Sequence, residues 1–138
     1  MSAWTLHPRL AADCLTLGDL PLCRVLIMND RQYPWLILVP RRPDIREAHE
    51  LDEEDYSQLW LESRITGQVM MAELQGHKLN IAALGNLVPQ LHLHHVVRFE
   101  NDPAWPGPVW GVRPPEPYAD RGQALGMRLF SLIQVRLG

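Results

Sequence analysis

Trp35-Leu36-Ile37-Leu38-Val39 is an unbroken apolar run of strand length, stopped by Pro40. A strand with one wet face alternates polar and apolar residues, whereas a strand without alternation is covered on both sides. Proline has no amide proton to give a ladder, so it ends one. The run therefore predicts a central strand of a sheet, with chain packed over each face. The 138 residues are read as one domain, 1–138, large enough to build such a core. A hydrophobic content of 46% argues against disorder.

The remaining elements are read around that strand. Trp4 to Ala12 suits a short helix with Pro8 near its first turn. Leu15-Thr16-Leu17 and Leu20-Pro21-Leu22 flank Gly18-Asp19, which reads as a two-residue hairpin turn. If Leu17 pairs with Leu20, Cys14 faces Cys23 and a disulfide is geometrically possible. Two reduced thiols near a sheet edge is the preferred reading for a cytoplasmic chain. Cys23 to Met28 forms the second strand, followed by the polar loop Asn29-Asp30-Arg31-Gln32, and Arg41 to His49 reads as loop.

Asp52 is an N-cap, and Glu53, Glu54 and Asp55 suit the positive end of the helix it opens. Tyr56, Leu59, Trp60, Met70, Met71 and Leu74 recur at helical spacing in that helix. Ser63 and Gly67 continue the stripe with small side chains, which predicts close approach to a neighbour. Gly76 is expected to end it. Lys78 to Ala83 reads as a strand and Leu84-Gly85-Asn86 as a turn. Asn101 to Gly111 is too rich in Pro and Gly for regular structure. An amphipathic helix, about Asp120 to Leu137, follows Pro114-Pro115-Glu116-Pro117, with Leu125, Leu129, Leu132 and Ile133 apolar.

Gln90 to Arg98 carries the chemistry. Successive side chains of a strand point to opposite faces. Gln90, His92, His94 and Arg98 then share one face with Val96, while Leu91, Leu93, His95 and Val97 share the other. An amide, two imidazoles and a guanidinium line up at alternate positions, about 7 Å apart. That row suits an anionic ligand. It also suits a solvated face, and His92 with His94 has the spacing of two zinc ligands. No cysteine or acidic residue lies near them in sequence, and no Cys-x-x-Cys is present, which ranks zinc low. His95 reads as a packed or edge histidine. Arg98 either attracts phosphate or pairs with Glu100 or Asp102. Trp105 and Trp110 either cap a site or dimer contact, or pack the Pro-rich loop onto the sheet, and packing is slightly favoured. Arg41 and Arg42 read as a small solvated basic patch.

A formal net charge of −3 argues against a general nucleic-acid surface. No apolar run approaches a membrane span. The first residues, Met1 to Trp4, show no secretory leader, so the cytoplasm is the expected compartment.

At the histidine strand the sequence resembles the histidine-triad (HIT) superfamily, whose signature is His, apolar, His, apolar, His, apolar, apolar. Gln90 stands at the first His position, His92 at the second and His94 at the third, and His95 takes an apolar position. Gly85-Asn86-Leu87-Val88 resembles the family's run into the motif. Asn80 matches an Asn usual on the preceding strand. Leu26 to Asp30, then Trp35 to Val39 with Pro40-Arg41-Arg42, look like the family's paired strands ending in Val-Pro-basic-basic. The resemblance covers roughly residues 14 to 111 and leaves a helical extension, about 116–137.

The resemblance implies an α+β fold: a five-stranded antiparallel sheet with a main helix packed on it, a C-terminal helix in addition, and a homodimer. It implies a nucleotide or nucleotide derivative as substrate, cleaved at the α-phosphate of a phosphoanhydride or phosphoramidate, with no metal or other cofactor. His92 is then the nucleophile that forms a nucleotidyl-histidine intermediate, its other nitrogen held by a backbone carbonyl. His94 donates to a non-bridging phosphate oxygen. Gln90 replaces a histidine that orients the nucleophile. It can still exchange hydrogen bonds but cannot carry charge. Asn80, Asn86, Asp30 and Arg98 are the expected phosphate or ribose contacts, with Ile27 and Met28 in a base pocket. The alternative is a catalytically weak, nucleotide-binding regulatory homodimer.

Overall fold

The computed structural model describes residues 3–138. Met1 and Ser2, part of the stretch read for a leader, lie outside the described residues. The elements run α1 (Pro8–Asp13), β1 (Cys14–Asp19), β2 (Cys23–Met28), β3 (Trp35–Pro40), a short 3-10 turn (Ala48–Glu50), α2 (Glu53–Leu74), β4 (Lys78–Ala82), β5 (Leu93–Arg98) and α3 (Gln123–Leu137). The strands form one antiparallel sheet in the order β1-β2-β3-β5-β4. The apolar run is its central strand, and all six residues of β3 are buried. Leu36 and Leu38 face a core with Leu59 and Met70 of α2 and Leu129 and Ile133 of α3. Trp35, Ile37 and Val39 face a second core with Leu10 of α1, Val88, Val96 and Val109. Each such apolar side chain taken from water contributes about 1.5–3 kcal/mol. Helices thus cover one face of the sheet, while α1 and the long loops cover the other, where the site lies.

The first hairpin differs from the expected one. The turn lies three residues later, around Pro21 and Leu22, with the Leu20 amide donating to the Cys23 carbonyl at 2.8 Å. The later turn, with a one-residue register shift between Thr16 and Gly18, places Cys14 opposite Met28, not Cys23. The two cysteines are free and buried, so no disulfide joins them. Glu62 explains the shift: its carboxylate accepts from the Leu22 and Cys23 amides at 2.8 and 2.9 Å, pinning the turn to α2.

Asp52 caps α2 as expected, accepting from the Asp55 amide at 2.8 Å. The left-handed residue that ends α2 is Gln75, at φ 52°, with Gly76 following it. Gly76 is small for another reason: a Cβ there would stand 2.5 Å from Val97. The buried stripe of α2 holds Leu59, Glu62, Ser63, Thr66, Gly67 and Met70. Tyr56 and Trp60, assigned to it from spacing, stay exposed and pack on each other. The small residues do mark close approach, since a Cβ on Gly67 would stand 2.7 Å from Leu79 of β4. The last helix starts at Gln123 because Asp120 accepts from the Gly122 and Ala124 amides and so caps its first turn. Leu132 is exposed there, and Phe130 takes the buried position.

Candidate functional site

β5 begins at Leu93, so Gln90, Leu91 and His92 run beyond the ladder. The Leu91 amide bonds the Ile45 carbonyl, drawing the segment towards the loop after β3. Off the ladder, the His92 ring folds back on its own chain. Its Nδ1 lies 2.7 Å from the Gln90 carbonyl oxygen. A carbonyl only accepts, so Nδ1 carries the ring proton and Nε2 keeps its lone pair. Burial pushes the pKa of His92 below the ordinary histidine value, outweighing the carbonyl bond that favours the charged form. A bare Nε2 is therefore the dominant state at neutral pH.

His94 stands beside His92, ring centroids 4.9 Å apart. Burial, with His92 and His95 nearby, holds its pKa down to about 3. The two rings line a cleft of about 240 Å³ together with Met28, Asn86, Val88 and Trp110. A larger recess, about 540 Å³, lies beyond Gln90 between Trp4–His7 and residues 43–46, and neither His92 nor His94 lines it. The smaller cleft holds the chemistry, so it is the candidate site.

The expected site residues divide accordingly. His92, His94, Asn86 and Met28 are brought to the cleft. Gln90 contributes its backbone: its side chain turns away, donating to the Thr5 carbonyl at 2.8 Å and accepting from the His7 amide at 2.9 Å. Arg98 resolves to its paired reading, 1% exposed and bidentate to Asp102 at 2.8 and 3.0 Å. It also donates to the Asn80 side-chain oxygen at 2.9 Å, which engages Asn80 as well. Burial disfavours the Asp102 carboxylate, yet the Arg98 bonds and the Phe99 and Trp105 amides outweigh it and hold its pKa below the usual value. A guanidinium so neutralised has little attraction left for phosphate. Asp30 is likewise engaged, accepting from Gln32 twice and from the Glu116 amide. Ile27 points to the other face, under Gly122 and Gly126 of the last helix.

His95 is a packed histidine, as read. Its Nδ1 lies 3.1 Å from the Leu93 carbonyl and its Nε2 2.8 Å from the Ser63 hydroxyl. Trp110 lines the cleft with its ring centroid 5.1 Å from His94, whereas Trp105 packs over Arg98. Arg41 and Arg42 are not a free basic patch: Arg42 pairs with Asp55 and Arg41 donates to the Leu20 and Pro21 carbonyls. Among the described residues, no group of three or more His, Cys, Asp or Glu could hold a metal ion. Sequence reasoning missed Arg9 and Asp13 of α1, which line the cleft, and Trp35, which touches His94. No spacing rule links a short N-terminal helix to a strand some eighty residues on.

With this geometry in hand, comparison places the chain among known folds. The family model for the HIT domain matches residues 9–101. A histidine triad protein from Marinobacter aquaeolei VT8 is 50% identical, with 99% of this chain and 100% of that one covered and a TM-score of 0.94. A histidine triad protein from Bradyrhizobium japonicum is 44% identical over 99% of this chain and 100% of its own, with a TM-score of 0.89. A diadenosine triphosphate hydrolase from Plasmodium falciparum shares the fold at 14% identity and a TM-score of 0.66, over 99% of this chain and 86% of that one. No curated protein matches.

Proposed function

The chain belongs to the histidine-triad (HIT) family, and from that premise we propose that it is a nucleotidyl hydrolase or transferase acting through His92. One observation carries the reading: the Gln90 carbonyl accepts a hydrogen bond from His92 Nδ1–H, leaving Nε2 bare beside His94 in the cleft.

The Nε2 lone pair attacks the α-phosphorus of a nucleoside phosphoanhydride or phosphoramidate. The new N–P bond forms as the bond to the leaving group breaks, and that group keeps the electron pair and takes a proton from solvent. Water or another acceptor then attacks phosphorus and loses its own proton to solvent. The N–P bond breaks, its pair returns to Nε2, and the nucleoside monophosphate or its transferred form leaves. Charge builds on the non-bridging oxygens in both steps, and an imidazole N–H from His94 stabilises it by on the order of 10² in rate. Asn86 is the expected further phosphate contact, and Met28 and Trp110 supply apolar walls for a base.

The test is turnover of adenosine phosphoramidate and diadenosine polyphosphates by wild type and His92→Ala. Loss of turnover in the variant, with a trapped nucleotidyl adduct in wild type, supports the reading. A variant that keeps the wild-type rate overturns it.

One observation favours the weaker, ligand-binding reading: no side-chain group of Gln90 reaches the nucleophile. Nucleotide-induced thermal stabilisation without turnover distinguishes it, because a ligand that binds only the folded state raises the melting temperature. A homodimer fits the unpaired outer edge of β4, where Ile81 is 43% exposed. No helix among the described residues is long and apolar enough to cross a membrane. Free thiols and a nucleotide substrate fit the cytoplasm.

A further inference from the structure

β3 and β5 are neighbours, with Trp35 opposite Val96 and Ile37 opposite His94. Trp35 and His94 are thus diagonal partners on one face, a separation a long side chain spans. The indole nitrogen of Trp35 lies 3.0 Å from His94 Nδ1, and the rings meet edge-on at 5.7 Å between centroids. An indole nitrogen only donates. His94 Nδ1 must therefore be the acceptor, and the proton of the neutral ring sits on Nε2. Among the described residues, Nε2 makes no hydrogen bond.

We propose that Trp35 is a positioning residue that fixes His94 as its Nε2–H tautomer, making it a neutral hydrogen-bond donor to substrate and not an acid. Its catalytic half rests on the function proposed above; its structural half does not. His92 and His94 are then set in opposite senses by two fixed partners. The Gln90 carbonyl holds the His92 proton on Nδ1 and leaves its Nε2 bare, and the Trp35 indole occupies His94 Nδ1 and leaves that ring's proton on Nε2. The cleft so presents a lone pair next to a donor, which is what attack on a phosphoryl group requires of its two sides. Protonating His94 would bring a second N–H against the indole N–H, so the charged ring has to break that bond. The groups that face His94 are His92 from the segment before β5, His95 next along the strand, and Arg9 and Asp13 of α1 across the cleft. The last two pair with each other at 3.4 Å. None offers His94 a free carboxylate that would favour its charged form.

The deciding measurement is long-range proton–nitrogen NMR of imidazole-labelled protein, with Trp35→Phe as the variant. In wild type, His94 is expected as the neutral Nε2–H form down to pH 5. In Trp35→Phe it is expected to become a mixture of tautomers and to titrate at higher pH. With a nucleotide substrate, kcat should fall on the order of tenfold while KM changes less. The acid limb of its pH profile should also move up. A wild-type ring found as Nδ1–H overturns the proposal with no variant needed. So does a Trp35→Phe protein whose tautomer and acid limb are unchanged. Failure of the nucleotide substrates alone would sink the proposed function and leave the tautomer assignment standing, because the spectrum needs no substrate.

Discussion

The side-chain amide of Gln90 clasps the chain at His7, accepting its amide proton at 2.9 Å while donating to the Thr5 carbonyl at 2.8 Å. Gln90 therefore ties down the N-terminal segment. Removing both bonds with Gln90→Ala should cost about 1–2 kcal/mol. The amides of residues 5 to 7 should also lose protection in hydrogen exchange, while the His92 carbonyl contact, made by backbone, persists. Unchanged exchange there would show that the clasp holds nothing.

Stability should fall as the solution is acidified below about pH 6.5. His94 and His95 titrate near the ordinary histidine value once unfolded, but burial holds them to about 3 and about 4 in the fold. Between those limits the unfolded chain binds more protons, so acid favours it. Each ring adds a slope of about 1.4 kcal/mol per pH unit in that window and nothing above it. Urea unfolding from pH 7.5 to 4.5 reads this directly, and a flat profile contradicts it.

Asp102→Ala strands a guanidinium that is 1% exposed. Breaking such a pair from one side costs about 3–5 kcal/mol. Denaturant titration should show that loss. Arg98→Met should restore part of it when added to Asp102→Ala, since the double variant leaves no lone charge.

Glu62→Ala should cost about 2–4 kcal/mol by leaving the Leu22 and Cys23 amides unpaired in the core. Glu62→Gln keeps an acceptor oxygen and should lose less. Equal losses in the two would mean that packing, not the hydrogen bonds, sets the effect.

The sequence exposed the sheet because its signals are local: five apolar residues before Pro40 make β3, and the alternation from Gln90 to His94 points to β5, whose ladder begins at Leu93. His92 and His94 were legible for the same reason, standing two residues apart in the sequence. What stayed hidden depends on contacts distant in sequence. Glu62 carries no local signal because its partners lie some forty positions earlier. Asn80 and Asp30 looked free because a sequence does not show that Arg98 and the Glu116 amide reach them, and for Arg98 it left pairing with Asp102 as one of two readings. Tyr56 and Trp60 fit a helical stripe, yet the neighbouring small residues set the true contact face a little further round.

The indoles of Trp35 and Trp110 stand 5.7 and 5.1 Å from the His94 ring, centroid to centroid. A charged imidazole at that range quenches indole emission far more than a neutral one does. The two indoles of the cleft should therefore dim when His94 takes on charge, an intrinsic optical reporter that needs no label, read apart from Trp105, which has His77 5.2 Å away.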